Sequence, residues 1–174
     1  AKLNGFCALA PRDAGEAAGA KAPSDADRLE RGPAYGETLP GAPAAADDWP
    51  TYRHDPARTG CTRASVPAEL TVAWRTRLGG RLTSPVIAGG RVFLAAVDTH
   101  TLYALQARSG KMLWSYTAGG RIDSPPTVYD GRVLFGCADG WVYCLRASDG
   151  RLVWRFRAAP SDRRLVAYEQ VESV

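Results

Sequence analysis

From residue 85 onward the chain alternates short apolar stretches with polar or glycine-bearing breaks at regular intervals. Pro85 to Ala88, Arg91 to Val97, Leu102 to Ala107 and Lys111 to Thr117 each have strand length and are rich in β-branched or aromatic residues. Gly89-Gly90, Asp98-Thr99-His100 and Ser109-Gly110 interrupt them. The order returns as Thr127 to Tyr129, Arg132 to Ala138, Trp141 to Ala147 and Arg151 to Ala158, with Asp130-Gly131, Asp139-Gly140 and Asp149-Gly150 between them. Asp-Gly between strand-like runs predicts a hairpin, because both residues accept the left-handed backbone of a tight turn.

The faces of these strands predict how they are covered. Val92-Phe-Leu-Ala-Ala-Val97 and Val133-Leu-Phe-Gly-Cys137 are apolar on both faces, so each sheet needs a neighbour on either side. The fourth strands relax to alternation. Met112, Trp114 and Tyr116 share one face, and Leu152, Trp154 and Phe156 share the corresponding one, with Arg155 and Arg157 opposite. Only the outermost strand is expected to be half exposed.

An internal repeat explains the regularity. Trp74, Trp114 and Trp154 are forty residues apart, as are Ser84-Pro85 and Ser124-Pro125, Leu102-Tyr-Ala-Leu105 and Val142-Tyr-Cys-Leu145, and Gly79-Gly80-Arg81 and Gly119-Gly120-Arg121. Four strands in about forty residues, sandwiched inside and amphipathic at the rim, describe a β-propeller blade. The predicted fold class is all-β: a partial propeller of about two complete four-stranded blades plus flanking strands, with an irregular N-terminal linker. Residues 1–46, rich in Ala, Gly and Pro, read as that linker or the tail of a preceding unit. Residues 47–174 read as the propeller segment, with a lead-in over 47–70 and blade strands from 71. Closed rings have roughly four to eight blades, so the remaining blades are expected beyond Val174 or from other chains.

Composition narrows the classes. At 174 residues, 45% hydrophobic and 23% charged, the chain has the make-up of a globular domain. Its longest apolar run, Val92 to Val97, is far too short for a membrane-spanning helix. The chain begins at Ala1 without a basic-then-apolar leader, so a signal peptide, if encoded, would lie outside this sequence. The net charge of +4 rests on scattered arginines rather than a basic stripe with aromatic platforms, which argues against nucleic-acid binding. Cys7, Cys61, Cys137 and Cys144 contain no CxxC pair, and no metal site is expected. A two-residue turn at Asp139-Gly140 would pair Ala138 with Trp141, Cys137 with Val142 and Phe135 with Cys144. The two cysteines would then share a face diagonally, too far apart to bridge, so both are expected as free thiols.

Tyr103-Ala-Leu-Gln-Ala-Arg-Ser-Gly-Lys-Met-Leu-Trp114 and Tyr143-Cys-Leu-Arg-Ala-Ser-Asp-Gly-Arg-Leu-Val-Trp154 resemble the tryptophan-docking blade motif of pyrroloquinoline-quinone (PQQ) like propellers. Asp48-Trp-Pro-Thr-Tyr-Arg-His-Asp-Pro-Ala-Arg-Thr-Gly60 is similar to the segment before the first blade in that family, as in large planctomycete-type multi-domain proteins. The same blade serves quinoprotein dehydrogenases and the propeller lipoprotein of outer-membrane β-barrel assembly, so the resemblance specifies fold more than function. One departure is the frequent family Asp after the Tyr-Ala pair, replaced here by Gln106 and Arg146. The resemblance implies that Trp74, Trp114 and Trp154 pack between blades. A buried indole needs an acceptor for its N–H, which a neighbouring blade's backbone can supply.

Quinoproteins place cofactor and substrate on the face bearing the second-to-third strand loops and the blade connectors. The candidates on the corresponding face here are Asp98, His100, Arg121, Asp123 and Asp139, with Arg81 and Thr83 in the first connector. Where a third connector is due, the pattern breaks into Ala159 to Ser173, whose Arg163, Arg164, Tyr168, Glu169 and Glu172 offer anion- and cation-binding groups. No adjacent cysteine pair, no matching Glu/Asn/Asp calcium set and no Ser-His-Asp arrangement is evident, so no catalytic residue is assigned. The expected role is a non-catalytic scaffold for a protein, small-molecule or carbohydrate ligand within a larger bacterial protein, with no cofactor. The alternative is a fragment of a PQQ-dependent alcohol or aldose dehydrogenase, which would carry PQQ and calcium. The resemblance implies an extracytoplasmic location, in the periplasm or cell envelope.

Overall fold

The protein, a computed structural model, is described here over residues 24–39, 45–160, 163–167 and 170–173. A one-turn helix α1 (Asp25–Arg28), capped reciprocally by Ser24 and Asp27, leads into β1 (Leu29–Arg31). Blade 1 is the antiparallel sheet β2 (Val86–Ala88), β3 (Arg91–Ala96), β4 (Thr101–Gln106) and β5 (Met112–Thr117). Blade 2 repeats it as β6 (Thr127–Tyr129), β7 (Arg132–Gly136), β8 (Trp141–Arg146) and β9 (Leu152–Arg157). A separate hairpin, β10 (Arg164–Ala167) with β11 (Gln170–Ser173), follows. No described helix is long and apolar enough to cross a membrane.

The two blades pack face to face. Val86, Phe93, Ala104 and Trp114 lie in register across blade 1 and bury against Val133, Phe135, Tyr143 and Leu145 of blade 2. Phe93, Leu102, Leu145 and Val133 are almost completely enclosed there. Each such side chain contributes about 1.5–3 kcal/mol relative to exposure. On its other face blade 1 presents Val92, Leu94 and Leu105 to Trp74 and Leu78. The other face of blade 2, with Leu134, Cys144 and Trp154, is covered by Ala34 and Leu39. This satisfies the two-sided burial that the sequence demands of β3 and β7.

Two expectations are corrected and one is refined. Within residues 1–46, read as a largely irregular linker, Leu29–Arg31 pair antiparallel with β9 as a fifth, outermost strand of blade 2. Residues 71–79, expected to begin the blade strands, form no strand, yet Trp74 and Leu78 still pack on blade 1. Finally, the β7–β8 register differs by one residue from the predicted turn. Phe135 faces Tyr143 and Leu134 faces Cys144, while Cys137 N–H donates to the Trp141 carbonyl at 2.9 Å, leaving Ala138-Asp139-Gly140 as the turn. A one-residue slip moves a side chain to the opposite face. Cys144 therefore packs on the outer face of blade 2 while Cys137 borders the inter-blade core, and both are free thiols for that reason.

Two length changes account for the slip. Pro126 adds a residue between Ser124-Pro125 and β6, so β6 and β7 follow β2 and β3 by 41 residues. The β7–β8 turn then loses one residue relative to Val97–His100, and β8 and β9 return to a spacing of 40 from β4 and β5.

Residues 48–51 cross the inner edge of both sheets. Trp49 exchanges backbone hydrogen bonds with Ile87 at 2.7 and 2.9 Å, and Val128 N–H donates to the Pro50 carbonyl at 2.7 Å. Thr51 and Thr127 hydroxyls meet at 2.8 Å.

Candidate functional site

The tryptophans show how the blades are fastened. Trp114 Nε1–H donates to the Ala147 carbonyl at 3.1 Å, and its ring lies on Gly150, where a Cβ would come within 2.6 Å of the indole. Trp74 repeats both contacts one blade earlier: its Nε1–H donates to the Ala107 carbonyl at 2.8 Å and its ring covers Gly110. Both glycines have positive φ, +67° at Gly110 and +74° at Gly150, so glycine is required twice over, for the turn and for the ring. Trp154 sits beneath Ala34 and Leu39 instead, and among the described residues its N–H meets no acceptor.

The β3–β4 and β7–β8 turns, the two connectors and the β10–β11 hairpin gather at one end of the sheets. Arg121, 7% exposed, is the centre of this end. Its guanidinium contacts Asp123 at 3.2 Å and the buried Glu172 Oε1 at 2.5 Å. Asp123 also lies 3.7 Å from Arg81, which reaches Asp98 at 3.4 Å. Three carboxylates and two guanidiniums thus alternate from blade 1 to the hairpin. His100 donates from Nε2 to Gln170 Oε1 at 3.0 Å, and Ser173 N–H donates to the Ala138 carbonyl at 2.8 Å, so the hairpin is tied to both blades.

Asp139 is held from within its own blade. It accepts from Tyr143 O–H at 2.5 Å and from Trp141 N–H at 3.1 Å. Burial, reinforced by the Asp139 carboxylate, pushes the Tyr143 phenol well above its usual range, and burial pushes the Cys137 thiol up to about 12. Both groups stay protonated at neutral pH. Thr83 turns inward, its hydroxyl accepting from Ala95 N–H at 3.0 Å.

Of the sequence candidates, Asp98, Arg121 and Asp123 join one network, His100 is engaged by the hairpin and Asp139 by Tyr143. Arg163 and Arg164 lie exposed at the start of the hairpin, and Tyr168 and Glu169 fall outside the described residues. Sequence reasoning missed Tyr143 and Gln170. Tyr143 belongs to the repeated Leu/Val-Tyr-x-Leu strand motif and reads as packing; the one available signal was Asp139 four residues before it, where blade 1 has Thr99 before Tyr103. Gln170 carries no local signal, because its partner is remote in sequence.

This arrangement does not fit calcium. Each of Asp98, Asp123 and Glu172 already faces an arginine, whereas Ca²⁺ needs six to eight oxygen ligands, several of them uncompensated carboxylates. Among the described residues no group of three or more His, Cys, Asp or Glu is placed to hold a metal ion. His100 faces an amide rather than a nucleophile and a carboxylate.

Stacked four-stranded sheets, fastened by tryptophans on glycine turns at a fixed spacing, define a segment of a PQQ-like β-propeller. Residues 58–173 match the repeat family described as outer membrane protein assembly factor BamB, and the chain belongs to that family. The fold is shared with the quinohemoprotein alcohol dehydrogenase of Comamonas testosteroni, at 23% identity and a TM-score of 0.56, over 66% of this chain and 20% of that one. BamB of Moraxella catarrhalis is also similar, at 21% identity and a TM-score of 0.45 over 48% of this chain and 27% of that one. The quinohemoprotein alcohol dehydrogenase ADHIIG of Pseudomonas putida HK5 is 27% identical, with a TM-score of 0.39 over 44% of this chain and 13% of that one. The chain therefore spans about a quarter or less of the solved structures it resembles. No protein of curated function matches its sequence.

Proposed function

We propose that this segment is a non-catalytic scaffold, a run of PQQ-like blades that presents a surface for a protein, small-molecule or carbohydrate ligand within a larger extracytoplasmic bacterial protein. The observation that carries this reading is the Asp98–Arg81–Asp123–Arg121–Glu172 chain, in which five charged groups of the loop end pair with one another. Side chains committed to mutual pairing hold loops in place; they do not leave a base, nucleophile or cation cage free for substrate. The family description, an assembly factor of the outer membrane, supports both a binding role and a location in the cell envelope. On this reading no cofactor is required of these residues, and further blades complete the ring.

The test is direct. The full-length protein is supplied with PQQ and Ca²⁺ and assayed for alcohol and aldose oxidation with an artificial electron acceptor. No turnover and no quinone absorbance retained after desalting is the expected result. Turnover that depends on PQQ would overturn the scaffold reading in favour of a quinoprotein dehydrogenase.

A further inference from the structure

The two blades differ at the rim. Blade 2 carries β1 as a fifth strand on the outer edge of β9, whereas β5, the equivalent edge of blade 1, pairs with β4 alone. Translation by forty residues sets Leu113 against Val153, Ser115 against Arg155 and Thr117 against Arg157. Val153 is 5% exposed in the cluster formed with Ala34 and Leu39, while Leu113 is 44% exposed and Met112 53%, although blade 2 is packed against blade 1. A neighbouring blade therefore does not cover this rim position; an added segment does. Blades stack through their faces around the ring, so the rim edge stays open however many blades complete it.

The backbone of β5 is set to accept a strand. Ala118 N–H donates to the His100 carbonyl at 2.8 Å, and the alternation of an antiparallel pair then turns the N–H and C=O of Ser115 and Thr117 away from β4. Blade 2 has the same geometry in use. Ala158 N–H donates to the Gly140 carbonyl at 2.9 Å, Glu30 lies opposite Arg155, and the Val153 carbonyl accepts from Gly32 N–H at 2.8 Å. Edges that stay unpaired are ordinarily blunted by a charge or a proline. Met112-Leu-Trp-Ser-Tyr-Thr117 has neither.

We propose that the β5 edge is a docking site for an extended segment of another protein, seated as β1 is seated on β9. The strap on blade 2 sets the chemistry of that segment. It runs antiparallel to β5 and carries an uncharged residue opposite Ser115, where β1 places Glu30 opposite Arg155. It lays a small apolar side chain on Leu113, as Ala34 packs with Val153. It brings a carboxylate to Lys111, the counterpart of the Arg151 that Glu37 contacts at 3.3 Å. A second copy fits less well, because its own strap is committed to β9 and its Glu30 would exchange Arg155 for Ser115. The rim edge shares no residue with the charged network of the loop end, so the site stands whether the ring is a scaffold or a dehydrogenase.

The test uses the full-length protein and a synthetic peptide of residues 27–39 carrying Glu30→Thr, which adapts the strap to Ser115. Saturable 1:1 binding by calorimetry is expected, with new hydrogen-exchange protection at Ser115 and Thr117 and no loss of protection at β9. Ser115→Pro removes an outward N–H that the blade itself does not use, at a place where edge strands tolerate proline, and should weaken binding at least tenfold. Leu113→Lys should weaken it at least tenfold as well, and Lys111→Glu severalfold. Unchanged exchange protection of β3 and β4 verifies that blade 1 is intact in each variant. With blade 1 intact, absence of binding at millimolar peptide overturns the proposal. Binding that Ser115→Pro leaves unchanged, or that releases β1 from β9 without protecting β5, overturns it as well. Self-association of the unaltered chain that Ser115→Pro abolishes would make a second copy the occupant and overturn it too.

Discussion

Trp114 and Trp154 occupy equivalent places in consecutive copies of one repeat and finish in different surroundings. Trp114 has apolar cover, a glycine floor and a carbonyl for its N–H, all from one neighbouring blade. Trp154 has apolar cover alone, from a segment with no blade structure. The contrast teaches that burying the face of a blade and docking its tryptophan are separable. Burial needs only two or three apolar side chains in a suitable strap, whereas the indole bond needs a turn of defined geometry.

Trp114→Ala should cost about 3–5 kcal/mol in urea unfolding, as for other large buried aromatics. Trp154→Ala, lacking a docking bond and lying nearer to solvent, should cost about 1–2 kcal/mol, below the range for a fully buried aromatic. A loss below about 1 kcal/mol for Trp114→Ala, or equal losses for the pair, would erase the distinction.

The glycines sharpen it. Gly150→Ala meets both the Trp114 ring and a φ of +74°, while Gly90→Ala meets a similar φ of +72° with no atom within 4 Å. The left-handed backbone alone costs a non-glycine residue about 1–2 kcal/mol, so Gly90→Ala should lose about that much and Gly150→Ala about twice as much. Thermal unfolding of both variants measures the difference, which is the floor contact itself. His100 and Gly140 give a third pairing, since both close the turn before the third strand in left-handed conformation, φ +56° and +89°. His100→Gly relieves backbone strain and forfeits the bond to Gln170, so stability should move by less than about 1 kcal/mol while Gln170 and its hairpin exchange hydrogen faster.

The smallest expected effect concerns the thiols. Burial raises Cys137 to about 12 and Cys144 to about 11, whereas Cys61 is exposed. At pH 8 the folded protein should therefore be alkylated at Cys61 well before either of the others, as peptide mapping would show. A thiol whose folded pKa is raised favours the folded state only while the unfolded thiol is also protonated. Stability should thus be level below about pH 8.5, the ordinary thiol value, and decline as pH rises toward 11 and 12.

The blade strands were legible in the sequence to within about two residues, because Gly-containing turns and the tryptophan period act locally and recur. The β7–β8 register was not. Asp139-Gly140 has the signature of a two-residue turn, and only the added Pro126, a change in length elsewhere in the chain, reveals that the frame has moved. β1 was also hidden: Leu29-Glu30-Arg31 has one apolar residue, and its strand character comes from the open edge of β9. At the loop end the residue types were readable, but their pairing was not. Arg121 reads as an available cation until the hairpin brings Glu172 onto it, and that contact depends on the path of the chain between them.

The two opposite length changes around β6 and β7 carry a further consequence. Pro126 advances the chain by one residue, the Ala138–Gly140 turn sets it back by one, and both lie at the loop end of blade 2. They behave as equal and opposite phase shifts, so that β8 and β9 re-enter the period of the repeat and Ala147 meets Trp114 where Ala107 meets Trp74. The loop end can thereby change its contour by paired insertion and deletion while the docking strands stay in step. Shape at one end of the blade is decoupled from cohesion at its rim, which lets a single repeat carry differently shaped surfaces without being redesigned for each.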